Sequence, residues 1–202
     1  MNKILGELIK IKAISINTNQ LYTWASGIKS PIYIDNRLIM GYPDLRWKIS
    51  QSFQQLINKH FKADEIKVIF GTATAGIAHA AFLSHLLQLP LGYVRSAKKD
   101  HGKENQIEGV YQVGQKGLVI EDLISTGGSV IGVVKALQQA GIEVVGVLAI
   151  FSYQLNKAKD SFAELGIPLY TLTNFEQLIK DDQLLTFSEQ KVLAEFHHFL
   201  NQ

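Results

Sequence analysis

The chain has 202 residues, of which 47% are hydrophobic and 19% are charged, enough apolar sequence for one sizeable core. The net charge of +2 argues against a broad nucleic-acid surface, and the absence of cysteine excludes disulfides, thiolate metal sites and cysteine nucleophiles. The longest apolar stretch, residues 144–151, is too short to span a bilayer, so we expect a cytoplasmic protein that binds neither membrane nor nucleic acid.

The N-terminal part predicts a small annex to a larger core. An amphipathic helix comes first, and two short strands follow around residues 26–27 and 30–31. A second helix repeats Leu45, Ile49, Phe53 and Leu56 at helical spacing, which predicts that these four side chains face inward. We expect one domain over residues 1–202, with an N-terminal hood over about residues 1–40 and a core over about 41–202.

From residue 67 onward, strand and helix patterns alternate, which is typical of a parallel sheet with right-handed crossovers. The predicted strands are 67–70, 91–94, 109–113, 118–120, 144–150 and 169–172, and the predicted helices are 77–87, about 130–137, 157–165 and a last one from Ser188. The segment 109–113 alternates like a strand and is predicted as the second arm of a hairpin. The fold class is therefore α/β, with a central, mainly parallel sheet flanked by helices.

The segment 117–130 is the most informative part of the chain. An apolar run ends in Glu121 and Asp122, and a loop of serine, threonine and glycine over residues 125–129 then opens a helix. Amides and hydroxyls at a helix start can wrap a phosphate, and two buried carboxylates need donors such as sugar hydroxyls. The segment therefore predicts a site for a sugar phosphate. Neither a P-loop nor a dinucleotide-binding fingerprint is present.

Two further segments supply groups that suit a pyrophosphate. The loop 71–76 carries Thr72, Ala73 and Thr74 at the carboxyl end of a predicted strand, and its amides could hold an anion. A charged run after the strand 91–94 contains Arg95, Lys98, Lys99, His101 and Lys103. Such a local cluster fits a small polyanion, and a loop that closes over it would strengthen the attraction by excluding water.

The segment 117–130 resembles the signature of phosphoribosyltransferases that use 5-phosphoribosyl-1-pyrophosphate (PRPP). The segment 21–37, with its Ser-Gly-Ile-Lys-Ser-Pro core, is similar to the hallmark segment of the orotate phosphoribosyltransferase family. The family also has an Arg...Lys-x-His-Gly loop, which Arg95, Lys99 and His101 match. The resemblance covers nearly the whole chain and implies a type I phosphoribosyltransferase fold with a mobile catalytic loop.

The resemblance also implies roles for single residues. Glu121 and Asp122 would bind the ribose hydroxyls of PRPP, and the following turn would hold its 5-phosphate. The PRPP-binding residues of that stretch are Glu121, Asp122, Leu123, Ile124, Ser125, Thr126, Gly127, Gly128 and Ser129. Arg95, Lys99 and His101 would reach PRPP from the other subunit of a homodimer, so that sites are shared between chains.

The orotate side of the site is less regular. Ser125 lies where the family contacts orotate, but Tyr153 stands where an arginine would pair with the orotate carboxylate. Lys29, or backbone amides near Tyr33, are the alternatives for that role. Other positions also depart from better-known members of the family: Ala25 replaces a lysine, Thr74-Ala75 replaces a Tyr-Lys pair, and Ser96 replaces a second basic residue.

The implied reaction is a Mg²⁺-dependent transfer in which N1 of orotate displaces pyrophosphate from C1' of PRPP and gives orotidine 5'-monophosphate in de novo pyrimidine (UMP) biosynthesis. Lys99 would stabilise the departing charge together with His101, and Asp100 would be a proton or hydroxyl partner. The ion would ride mainly on PRPP and pyrophosphate, with no dedicated protein metal site. Two alternatives are a phosphoribosyltransferase for another base and a non-catalytic regulator that senses PRPP.

Overall fold

The computed structural model describes residues 3–24, 26–62, 64–95 and 106–202. The helices are α1 (Lys3–Lys10), α2 (Pro43–His60), α3 (Ala75–Leu87), α4 (Gly128–Gln139), α5 (Asn156–Leu165), α6 (Phe175–Ile179) and α7 (Phe187–Leu200), with a 3-10 helix over Asn36–Gly41. The strands are β1 (Ile14–Ile16), β2 (Tyr22–Thr23), β3 (Lys29–Ser30), β4 (Ile32–Ile34), β5 (Val68–Thr72), β6 (Leu91–Val94), β7 (Ile107–Glu108), β8 (Lys116–Ile124), β9 (Glu143–Ser152) and β10 (Leu169–Asn174).

The central sheet has the strand order β10-β9-β8-β5-β6-β7, and all its pairings are parallel except the one between β6 and β7. All five residues of β5 are buried, as is the run 117–121 of β8. Strands that are covered on both faces read as continuous apolar runs rather than alternating ones. The central, mainly parallel sheet flanked by helices is the fold class that the sequence predicted.

Each face of the sheet has its own core. On one face, Ile69, Leu118 and Ile120 pack with residues of α1, α2, α3 and α7. On the other face, Phe70 and Val119 pack with residues of α4 and α5. Neighbouring residues along a strand point to opposite faces, so one strand serves both cores. The loops that leave the ends of β5 and β8 therefore start from a rigid base.

The N-terminal part contains four short strands where the sequence predicted two. The strand predicted around residues 26–27 was wrong, because these residues form the turn between β2 and β3, whereas the one predicted around 30–31 corresponds to β3. β1 pairs with β4 and β2 pairs with β3, both in antiparallel fashion. The hydroxyl of Ser30, a buried residue, donates to the carbonyl of Ile32 at 2.7 Å and accepts from the amide of Ile32 at 3.1 Å. This serine of the hallmark segment therefore fixes the connection between β3 and β4.

Some predicted elements were wrong in position. The hairpin partner of β6 is β7 at residues 107–108, not the segment 109–113. Gly109 has φ +112° and lies so close to β6 that a Cβ would be 2.9 Å from the backbone of Gly92, so the strand ends there. Val110 and Val113 are exposed. On α2, Ile57 is buried rather than Leu56, which is only half-buried.

The 3-10 helix and α6 were not predicted from the sequence. Within the described ranges, no helix is long and apolar enough to cross a membrane.

Candidate active site

Two loops meet at the carboxyl edge of the sheet. β5 and β8 are adjacent parallel strands, with Gly71 paired to Ile120. The loop after β5 and the loop after β8 therefore leave from the same edge, where open α/β sheets bind their ligands. Glu121 and Asp122 lie within β8, which extends to Ile124, and not after the strand as the sequence suggested.

Glu121 is the most unusual titratable group at this edge. Its residue is 6% exposed, and its Oε1 accepts a hydrogen bond from the amide of Asp122 at 2.9 Å. Burial, together with the neighbouring Asp122 carboxyl, raises the pKa of Glu121 to about 9. Burial also raises the pKa of Asp122. At neutral pH, therefore, Glu121 holds a proton and can donate as well as accept hydrogen bonds.

The turn after β8 exposes backbone amides. Gly127 is buried with φ +80°, a conformation that glycine adopts without strain, and its carbonyl accepts from the amide of Ile131 at 3.0 Å. Thr126, Gly128 and Ser129 are exposed, whereas Ser125 is half-buried. The first amides of α4 have no acceptor within the helix, so they can bind an anion.

The loop after β5 is shorter than the predicted 71–76. Thr72 ends the strand, α3 begins at Ala75, and the peptide bond between Ala73 and Thr74 is cis. The amide of Ala73 donates to the carbonyl of Val94 at 3.0 Å, which ties the loop to β6. Thr72 is buried, and within the described part of the chain its Oγ1 has no hydrogen-bond partner.

A close backbone approach brings these two loops together. Gly76, in the first turn of α3, lies so near β8 that a Cβ on it would be 2.5 Å from the carbonyl oxygen of Ile120. Only glycine allows this distance. The start of α3 therefore lies directly beside the strand that carries Glu121 and Asp122.

The N-terminal part contributes residues to which the sequence analysis gave no role. Asn36 is 1% exposed, and its Nδ2 donates to the backbone carbonyl of Asp122 at 2.7 Å. Asp35 caps the 3-10 helix by accepting from the amide of Arg37 at 3.2 Å, and it also pairs with the Arg37 side chain. In the sequence, these residues were marked by the polar triplet 35–37 directly after an apolar strand and by their place at the end of the hallmark segment 21–37.

The residues predicted for orotate lie on the N-terminal hairpins and next to β9. Tyr33 is exposed, with its ring 5.7 Å from that of Tyr22. Lys29 donates from Nζ to the hydroxyl of Thr23 at 2.7 Å. Tyr153 is 3% exposed, and its ring packs edge-on against that of Trp24 at 5.3 Å. Burial raises the pKa of Tyr153, and the nearby phenol of Tyr33 adds to this effect.

The predicted catalytic loop is described only at its two ends. The amide of Arg95 donates to the carbonyl of Gln106 at 2.9 Å, and Gln106 Nε2 donates to the carbonyl of Arg95 at 2.7 Å. Arg95 Nη1 lies 4.0 Å from Glu108 Oε1. The positions of Lys99, Asp100 and His101 lie outside the described residues. Within the described ranges, no group of three or more His, Asp or Glu side chains could hold a metal ion.

Comparisons with known proteins point to one family. The model of the phosphoribosyl transferase domain matches residues 45–165. The chain is 54% identical over 178 residues to orotate phosphoribosyltransferase from Staphylococcus aureus (strain Mu50 / ATCC 700699), a match that covers 88% of this chain and 87% of the relative.

Solved structures show the same fold. The crystal structure of orotate phosphoribosyltransferase from Francisella tularensis matches with a TM-score of 0.78 at 19% identity, over 99% of this chain and 96% of that one. UMP synthase from Leishmania donovani matches with a TM-score of 0.80 at 24% identity. That match covers 98% of this chain, which spans only 42% of that longer one. These likenesses confirm the predicted fold class.

Proposed function

Since the chain belongs to the orotate phosphoribosyltransferase family, we propose that it transfers the ribose 5-phosphate group of PRPP to N1 of orotate, which gives orotidine 5'-monophosphate and pyrophosphate. This reaction would serve the de novo synthesis of UMP. The observation that carries the proposal is the meeting of Glu121 and Asp122 with an amide-rich turn at one edge of the sheet. The relative from Staphylococcus aureus carries the same activity in its name.

PRPP would bind across this edge. The carboxyls of Glu121 and Asp122 face the ribose hydroxyls, and the amides and hydroxyls of residues 125–129 hold the 5-phosphate. Leu123 and Ile124 complete the strand between these two groups. Because Glu121 is protonated in the free protein, it can donate a hydrogen bond to one sugar oxygen while Asp122 accepts from another.

In the chemical step, the bond from N1 of orotate to C1' forms as the bond from C1' to the pyrophosphate oxygen breaks, with inversion at C1', and the proton of N1 is released to Asp100 or to solvent. The electron pair leaves with pyrophosphate, so negative charge grows beyond C1'. The loop of Thr72, Ala73 and Thr74 would face that side with its threonine hydroxyls, because the amide of Ala73 already donates to the carbonyl of Val94. Arg95, Lys99 and His101 would add positive charge, with Asp100 as a proton or hydroxyl partner.

We also propose that Mg²⁺ takes part. The ion would be carried mainly by oxygens of PRPP and pyrophosphate, as Mg²⁺ keeps several water or phosphate ligands and takes few from the protein. When bound to PRPP, the ion would neutralise part of the negative charge of the pyrophosphate group. The protein groups then bind the sugar and the phosphate and orient C1'.

A homodimer with shared sites is the third part of the proposal. Four large apolar side chains are exposed on the 3-10 helix, on the residue between it and α2, on α2 and on α3, namely Leu38, Tyr42, Trp47 and Phe82. Exposed apolar surface of this kind marks contacts between proteins. Sedimentation of the purified protein tests this part, and a monomer at assay concentrations would contradict it.

A cytoplasmic location stays a prediction.

Measuring pyrophosphate release tests the reaction. The protein is incubated with PRPP and Mg²⁺ and, in turn, with orotate, adenine, xanthine or no base. Pyrophosphate release with orotate as the base, and with none of the others, supports the proposal. Release with another base supports a different transferase, and PRPP binding without any release supports a regulator that senses PRPP.

Replacing Lys99 tests the loop. Lys99→Ala should lower kcat about 100-fold or more, because one group that stabilises the transition-state charge is lost. The thermal midpoint should stay at the wild-type value. Lys191→Ala, on an exposed position of α7, is the matched loss of one cation and should keep wild-type kcat. Equal rates for Lys99→Ala and the wild type would remove Lys99 from the mechanism.

A further inference from the structure

The part of the site that receives orotate must bind the carboxylate of this substrate close to acidic side chains of the protein. This inference rests on the proposed function, because orotate differs from uracil by a carboxylate on the ring. Asp122 and Asp35 lie near that side, since Asn36, next to Asp35, donates to the backbone carbonyl of Asp122 at 2.7 Å. When the substrate carboxylate loses its hydration next to carboxylates of the protein, it needs a cationic side chain as its partner. The question is which described residue provides it.

Two of the residues first expected there are poorly suited to pair with a carboxylate. Burial raises the pKa of Tyr153, so its phenol is neutral, and the ring packs against Trp24, Phe151 and Phe175. Lys29 already donates to Thr23 across the β2–β3 hairpin. Its ammonium is a point charge on a flexible stem and does not fix a planar group in one orientation.

Arg37 has the geometry that the other two lack. Its Nε donates to Asp35 Oδ1 at 2.6 Å, and one terminal nitrogen, Nη2, donates to Asp35 Oδ2 at 2.8 Å. This bidentate pair fixes the plane of the guanidinium and uses two of its five N–H donors. The side chain is 67% exposed. The Nη1 edge therefore remains for a second planar carboxylate.

The backbone places Arg37 at the acidic pair. Asn36, between Asp35 and Arg37, donates to the carbonyl of Asp122 at 2.7 Å and so docks the start of the 3-10 helix on β8. Asp35, which pairs with the guanidinium, is the main cause that raises the pKa of Arg37, and Tyr33 and Asp122 add smaller electrostatic contributions. The backbone of Tyr153 is tied to the same place, since its amide donates to the carbonyl of Ile124 at 2.8 Å.

We propose that Arg37 binds the carboxylate of orotate in a bidentate pair and that Asp35 is the positioning residue that holds the guanidinium in place. Arg37 then determines specificity, since it distinguishes a carboxylated pyrimidine from an uncharged one. Tyr33, whose ring is exposed on β4 four residues before Arg37, would contact the base.

Steady-state kinetics of Arg37→Ala and Arg37→Lys test this assignment. In Arg37→Ala, the KM for orotate should rise about 10- to 100-fold, because charge-assisted hydrogen bonds to the substrate are lost. The KM for PRPP should stay within about 2-fold of wild type. Arg37→Lys should recover part of the loss, since it keeps the charge but not the fork. Asp35→Asn should raise the KM for orotate by less than Arg37→Ala does.

Competition by uracil separates recognition of the carboxylate from a general structural effect. Uracil and orotate are compared as ligands of the wild type and of Arg37→Ala, and the preference for orotate should shrink by the same factor as its KM rises. A merely structural loss would weaken both pyrimidines alike. The matched control is Lys180→Ala, which removes an exposed cation paired with Glu176 at 2.6 Å far along the chain and should leave both constants unchanged.

The outcomes distinguish this inference from the proposed function. If the wild type uses orotate but Arg37→Ala keeps its KM for orotate, the inference is wrong and the function stands. If the KM for PRPP rises as much as that for orotate, Arg37 acts on PRPP and the inference is again wrong. If the wild type does not turn over orotate, both fail. Thermal unfolding of each variant shows that it is folded.

Discussion

Replacing Glu121 with glutamine should remove a pH dependence from the stability of the ligand-free protein. The pKa of the Glu121 carboxyl is about 9 in the folded protein, against an ordinary value of 4.5. Between these two values, the folded protein holds a proton that the unfolded chain has released. The contribution of this proton to stability is therefore complete below pH 4.5 and is lost as the pH rises to about 9.

The size of the effect follows from one proton. A difference of one bound proton changes the free energy of unfolding by about 1.4 kcal/mol per pH unit, so a rise from pH 6 to pH 8 costs about 3 kcal/mol. Glutamine has nearly the same shape as the protonated carboxyl but does not titrate. Between these pH values, Glu121→Gln should therefore lose about 3 kcal/mol less than the wild type does.

Urea unfolding at pH 6 and pH 8, at one protein concentration and without PRPP, measures this difference. Glu176→Gln is the matched control, because Lys180 lowers the pKa of the exposed Glu176 carboxyl, which stays ionised in the folded and unfolded chain at both pH values. This control should keep the wild-type pH dependence. If Glu121→Gln also keeps it, Glu121 does not hold the proton, and its burial does not have the electrostatic consequence argued above.

Two further substitutions test the packing around the site and the last helix. Gly76→Ala should lower the free energy of unfolding by about 1–3 kcal/mol, because the new Cβ meets the Ile120 carbonyl. Gly132→Ala, with open space around it in α4, should raise the free energy of unfolding by about 0.5–1 kcal/mol. Urea unfolding of both variants checks this, and equal effects would contradict the close approach at Gly76. Thr186→Ala removes the capping box that Thr186 forms with Glu189 at the start of α7. The free energy of unfolding should fall by about 0.5–2 kcal/mol, which lowers the thermal midpoint by several degrees. An unchanged midpoint would show that the cap is dispensable.

The sequence predicted the sheet correctly because a sheet of buried strands depends on local patterns, and the same patterns give the candidate PRPP site, which stays a prediction. The apolar run before Glu121 favours a strand that is covered on both faces, and the glycine-rich turn at Gly127, followed by apolar residues at helical spacing, indicates the start of a helix. The strand at 109–113 was predicted wrongly because alternation does not reveal that Gly109 crosses close to β6. That contact is set by tertiary packing, which one segment does not encode.

The orotate side was harder to predict because it depends on contacts between distant segments. The protonation of Glu121 follows from burial, and the role we propose for Arg37 follows from the bond between Asn36 and Asp122, 86 positions apart. Tyr153 was considered for orotate binding from its position in the sequence, whereas its ring is part of an aromatic core. A sequence pattern gives the residue types at a site but not which of them face each other.

The proton on Glu121 and the charge of Arg37 act on the two substrates in the same direction. PRPP and orotate are both anions, and two ionised carboxylates side by side would repel them at close range. Because Glu121 is neutral in the free protein, the acidic pair presents at most one negative charge, and the hydrogen bond from Asn36 to the carbonyl of Asp122 holds the segment of Arg37 next to the pair. The edge of β8 can therefore offer acceptors to sugar hydroxyls without excluding anionic substrates. The substitutions of Glu121 and Arg37 separate these two effects, because the first changes a proton equilibrium and the second a preference between pyrimidines.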